Sequence, residues 1–95
     1  MTIEELRQKA TPVFRQHGVR YAAVFGSVAR GEDRPESDVD LLVRLGRPMG
    51  MVGYMRLVEN LESSLQRKVD VVTEQSLNEH LRPFVVRDLA TIYEG

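Results

Sequence analysis

The chain has 95 residues, with 13 Lys and Arg against 14 Asp and Glu and a formal net charge of −1. That length suits one domain, residues 1–95, with a single modest core, and the charge balance leaves no field to draw in nucleic acid, so a polynucleotide substrate is disfavoured. There is no cysteine, hence no disulfide frame and no thiolate metal site, and no apolar run reaches membrane-spanning length.

The chain opens on Met1-Thr2-Ile3-Glu4-Glu5, acidic where a secretory leader would be basic, so a cytoplasmic protein without membrane contact is expected. Thr2 and Glu5 have the spacing of a capping box. Ile3, Leu6, Ala10, Val13 and Phe14 follow at helical spacing, but Pro12 interrupts them and predicts a kink or two short helices. His17-Gly18 ends the element, with His17 placed as a partner for the helix dipole rather than as a catalyst.

Residues 21–25 form an apolar strand that stops at Gly26-Ser27. Ten residues follow, and then Asp38-Val39-Asp40 leads into a second apolar run, 41–45. Side chains alternate along a strand, so Asp38 and Asp40 share one face while Val39 and Leu41 share the other, the core face. Two carboxylates so close repel, and a hard divalent cation relieves the repulsion. Gly26 lets a bulky anion approach the backbone, and Ser27 offers a hydroxyl and a cap for a short helix through Arg30, with Gly31 as its left-handed stop. A lone Gly-Ser is usually a turn and a lone Asp-x-Asp usually solvated. Gly-Ser, ten residues and Asp-x-Asp together match by chance in on the order of one chain in a thousand of this length. The connection from Phe25 to Asp38 is too short for a crossover helix, which makes the two strands antiparallel.

Gly50–Leu65 has the longest helical stripe: Met51, Tyr54, Met55, Val58, Leu61 and Leu65, widened by Leu57. Met49 and Val52 fall off its centre and are candidate partner contacts beside the end of the acidic strand. Residues 68–73 form a third strand, in which Asp70 shares a face with Val72. An Asp in so apolar a strand is costly unless it is paired or bound to a metal. Residues 75–81 are a short polar connection with some helical character, and His80 there reads as structural or solvated. A last helix is expected over 82–90, with Phe84, Val85, Val86 and Leu89 apolar, and a short edge strand over 91–93. The fold class is α/β (α+β): a small mixed sheet of three to four strands backed by helices.

Gly26-Ser27, ten residues and Asp38-Val39-Asp40 resemble the motif of the DNA polymerase β-type nucleotidyltransferase superfamily. The longer string from Gly26 to Val43 is similar to its smallest members, the minimal nucleotidyltransferases, and Asp70 matches the superfamily's third carboxylate. The resemblance implies catalysis by Asp38, Asp40 and Asp70. It implies two Mg²⁺ ions on those carboxylates, with Mn²⁺ as a substitute, and ATP as substrate. Gly26 and Ser27 would hold the nucleotide's phosphates. Arg30 has two equal readings, neutralising those phosphates or bracing the loop. The resemblance further implies a partner, a HEPN-type toxin, to which the chain as antitoxin transfers AMP on a tyrosine. Two other readings stand beside it: a catalytically silent module that neutralises a partner sterically, and a small-molecule nucleotidyltransferase working as a homodimer.

Overall fold

The structure is a computed structural model that describes residues 1–77, 79–80 and 82–95; Leu81, the expected end of the polar connection, and the side chain of Phe84, an expected core position, lie outside the described residues. Helix α1 (Ile3–Gln16) starts at Thr2, whose Oγ1 accepts a hydrogen bond from the Glu5 N–H at 3.0 Å. It runs without a break through Pro12, against the expected interruption. Pro12 and Gln8 are both exposed, so the Gln8 carbonyl that loses its donor is left on the solvent side, where water can satisfy it.

The remaining elements are β1 (Val19–Phe25), α2 (Gly26–Arg30), β2 (Val39–Leu45), α3 (Gly50–Leu65), β3 (Val69–Thr73), a 3₁₀ turn at Glu74–Ser76, α4 (Arg82–Arg87) and β4 (Ala90–Glu94). The sheet order is β3-β2-β1-β4. β1 is antiparallel to β2, as the short connection requires, and to β4. β3 is parallel to β2, because the 16 residues of α3 carry the chain back to the start of the sheet. The last helix stops at Arg87, short of the expected end, because Ala90 is taken into the strand that pairs with β1. No helix among the described residues is long and apolar enough to cross a membrane.

One face of the sheet, formed by Ala22, Val24, Val39, Leu41, Val43, Val69, Val71 and Ile92, packs with Leu6, Ala10, Val13 and Phe14 of α1 and with Leu57, Leu61 and Leu65 of α3. Met51 and Met55, expected in the stripe of α3, are instead exposed. At 100° per residue they lie about 80° and 120° from the centre that the three leucines define, whereas Tyr54 and Val58 of the same stripe pack against the core. Met49 packs against the core and Val52 is exposed. Both lie past Leu45, about 17 Å of strand from Asp40, so they do not flank the carboxylates.

Candidate active site

Strand alternation turns Asp40 away from the helical layer. Val39 and Leu41 are fully buried in the core, and Asp40 projects from the opposite face, half-buried. The parallel register places Asp70 of β3 directly beside it, with Asp40 and Asp70 as Cα partners. Neighbouring strands lie about 4.8 Å apart, so the two carboxylates share one small patch of the sheet rim. Asp38, exposed, stands just ahead of β2, where pairing begins with the Val39 N–H donating to the Lys68 carbonyl at 2.9 Å. Burial, then the charges of Asp70 and of Asp38, push the Asp40 carboxyl above its ordinary value, and Arg30 pulls it the other way.

On the other flank, Phe25 is the Cα partner of Asp40, so α2 starts beside this carboxylate. Gly26 has φ +75°, a left-handed conformation, and a Cβ there would overlap the Asp40 carboxyl group. The position needs glycine for both reasons. Gly31 closes α2 in the left-handed conformation, as its place in the sequence predicts. Ser27 does not cap the helix: the cap position is Phe25, without a side-chain bond, and Ser27 lies inside the first turn. No hydrogen bond to the Ser27 hydroxyl is made among the described residues. Arg30, at the end of α2, donates to Glu32 at 3.0 Å and to Asp88 at 2.7 Å.

The loop between α2 and β2 is held by residues that the sequence pattern does not single out. Arg67, just ahead of β3, donates to the Asp33 carboxylate at 3.0 Å and to the carbonyls of Arg34 and Ser37. The Met1 amino group also donates to Asp33 at 3.0 Å. These partners hold the Asp33 carboxyl below its ordinary value, the Arg67 hydrogen bond contributing most. The Ser37 hydroxyl accepts from the Arg34 N–H at 2.9 Å, which steadies the loop. His17 caps α1, and its Nε2 is paired with the Asn60 side chain at 2.8 Å; His80 is exposed.

The rim offers only hard oxygen donors, and the crowding that lifts Asp40 is what a divalent cation would relieve. Among the described residues no three Asp, Glu, His or Cys side chains converge tightly enough to form a ready ion cage. The arrangement fits Mg²⁺, which commonly takes one or two carboxylates and completes its shell from substrate phosphates and water. Cavity size is no guide here: a space of about 470 Å³ opens at the other end of β2, lined by Arg44, Pro48 and Glu74 among others, and includes none of the three aspartates.

An open rim of paired carboxylates beside a glycine-started helix on a small mixed sheet defines a nucleotidyltransferase core. The sequence profile described as "Polymerase beta, Nucleotidyltransferase" matches residues 8–95, and the chain belongs to that family. It is 33% identical to "Protein adenylyltransferase MntA" of Thermococcus cleftensis over 97% of each chain. A Methanocaldococcus jannaschii protein, MJ0435, provisionally designated a protein adenylyltransferase, is 35% identical over 97% of this chain and 99% of its own length. Among solved structures, one provisionally designated a minimal nucleotidyltransferase superposes with a TM-score of 0.78 at 40% identity, over 95% of each chain. A toxin–antitoxin crystal structure with AMP-PNP gives 0.80 at 23% identity, over 94% of this chain and 73% of the other. A tri-AMPylated Shewanella oneidensis HEPN toxin in complex with an MNT antitoxin gives 0.75 at 20% identity, over 99% and 74%. The last two likenesses bear on the fold alone.

Proposed function

We propose that this chain transfers AMP from ATP to a hydroxyl of a protein partner, a tyrosine of a HEPN-type toxin, and acts as the antitoxin of that pair. The observation that carries this reading is the register pair Asp40–Asp70 on an open rim, with Gly26 against Asp40. The names of the relatives similar over nearly their full length support the choice of a protein acceptor. The reading entails work in the cytoplasm, where ATP is plentiful.

In this scheme Asp38 and Asp40, with Asp70, would hold Mg²⁺, two ions with Mn²⁺ as a substitute. When bound, the metal neutralises the developing charge on the transferred phosphoryl group. The acceptor oxygen forms a bond to the α-phosphorus, the bond to the bridging oxygen of pyrophosphate breaks, and Asp70 accepts the hydroxyl proton. Gly26 and Ser27 hold the β- and γ-phosphates at the start of α2, and Arg30 neutralises them.

The test is intact-mass spectrometry of the protein encoded beside this one, incubated with the chain, ATP and Mg²⁺. Mass increments of one AMP each are expected, lost with Asp70→Asn and lost when the acceptor tyrosine becomes Phe. Robust modification of a small molecule, with the neighbour's mass unchanged, would overturn the reading in favour of a homodimeric small-molecule transferase. Neutralisation of the neighbour with no mass change in either assay would favour a steric binding module.

A further inference from the structure

Arg30 is held between two carboxylates of different character. Its Nε donates to Glu32 Oε2 at 3.0 Å and its Nη1 to Asp88 Oδ2 at 2.7 Å. The Asp88 side chain is 13% exposed, the Glu32 side chain 66%. Asp88 comes from the turn between α4 and β4, 58 residues away in sequence, whereas Glu32 follows Arg30 by two residues in the loop. A guanidinium carries five N–H donors, and among the described residues no hydrogen bond engages Nη2.

Position gives this pairing its meaning. Arg30 ends the short helix that Gly26 and Ser27 begin, and its charge is felt at Asp40. A long side chain on a five-residue helix has many rotamers, and an arginine free to roam loses that freedom each time it binds an anion. A shielded carboxylate can fix it in advance. An exposed carboxylate on a loop holds it weakly and gives way to a more highly charged anion.

We propose that Asp88 is a positioning residue for nucleotide binding: it fixes Arg30 at the phosphate end of the site, while Glu32 occupies the guanidinium until nucleotide phosphates displace it. The proposal rests on the reading of Arg30 as a phosphate ligand. The two carboxylates then act with opposite sign. Removing Asp88 costs affinity because Arg30 loses its anchor; removing Glu32 gains affinity because a competing anion is gone.

The experiment is calorimetric titration with α,β-methylene-ATP and Mg²⁺, using AMP, which lacks the β- and γ-phosphates, as the control ligand. Arg30→Ala and Asp88→Ala should each weaken binding of the triphosphate about 5- to 10-fold, the range for loss of a charge-assisted hydrogen bond, with AMP binding unchanged. Asp88→Glu should recover most of the loss. Glu32→Gln should strengthen triphosphate binding about 2- to 3-fold, the scale of an exposed ion pair. If Arg30→Ala weakens binding and Asp88→Ala does not, the role of Asp88 is overturned and the phosphate reading of Arg30 survives. If Arg30→Ala has no effect, that reading fails and the proposal fails with it. If Glu32→Gln weakens binding as much as Asp88→Ala, both carboxylates merely brace the loop and the proposal is overturned. Equal loss of triphosphate and AMP binding in both Asp88 variants would also overturn it.

Discussion

Gly26 and Asp40 compete for one volume: a side chain at the first position would collide with the carboxyl group of the second, whose Cγ lies 3.3 Å from where a Cβ would stand. The space that Gly26 leaves empty is filled by the carboxylate itself. Gly26→Ala should therefore lower both stability and activity, by about 1–3 kcal/mol in stability from the left-handed backbone and the displaced carboxylate together. In an Asp40→Ala background the collision is relieved and only the backbone cost remains. Urea unfolding of the four proteins of this cycle checks it, and additive losses would show that the two positions do not meet.

The aspartates should give opposite effects on stability and activity. Burial and two neighbouring negative charges act against the ionised Asp40. Asp40→Asn should raise the melting temperature of the metal-free protein by a few degrees at pH 7, since about 1 kcal/mol moves a chain of this size by about 4–8 °C. The same substitution, like Asp70→Asn, should reduce nucleotide transfer by about 100-fold or more. Scanning calorimetry and a single-turnover assay read the two sides separately. Full activity in the Asp38→Asn/Asp40→Asn double variant would sink the assignment of the rim.

The Arg67–Asp33 pair should govern acid sensitivity. Both side chains are almost fully covered, and removing Arg67 leaves the Asp33 carboxylate with the Met1 amino group alone and frees the loop carbonyls that Arg67 holds. Arg67→Ala should cost about 2–4 kcal/mol. Asp33 has a folded-state pKa below its unfolded value, so its contribution is present above the ordinary carboxylate range and is lost as pH falls through the depressed folded value. Unfolding curves from pH 7 down to pH 2 should thus show a larger loss of stability for the parent than for Arg67→Ala. Parallel pH profiles would refute this.

The rotation of α3 can be checked by contrast. Leu61→Ala removes a fully buried side chain from the packing of α3 and should cost about 2–5 kcal/mol. Met55→Gln, on the exposed side of the same helix, should change stability by less than about 0.5 kcal/mol. Similar losses in chemical denaturation would mean that the sequence stripe, with Met55 inside it, describes the packing after all.

What could be read in advance followed the range of the interactions. Val39, Asp40 and Leu41 alternate within one strand, so the turning of Asp40 away from the core was legible from three consecutive residues. Gly26 was legible as a site of close approach, though the group that approaches in this structure is Asp40. That Asp70 joins Asp40 was implied by the resemblance, but their register was not legible from the residues, because it depends on how far α3 carries the chain before β3 joins the sheet. Arg67 gave no local sign of its role: its partners Asp33, Arg34 and Ser37 lie 30 to 34 residues earlier. Asp88 was hidden in the same way. The stripe of α3 held for Tyr54, Val58 and the three leucines and failed at Met51 and Met55, which carry a hydrophobic signal but lie too far around the helix to reach the core. The continuous α1 defied Pro12 because an exposed proline frees a carbonyl that water can serve.

In the order β3-β2-β1-β4, Asp40 stands on a strand bonded on both sides and Asp70 on a strand bonded on one. The carboxylate pair is therefore mechanically unequal. One member is held by backbone pairing on both sides of its strand, like the fixed jaw of a vice. The other rides on a margin whose outer backbone groups meet no neighbour strand among the described residues, and it can yield by fractions of an ångström. A site built this way keeps Asp40 in place while leaving Asp70 compliant enough to follow whatever binds at the rim.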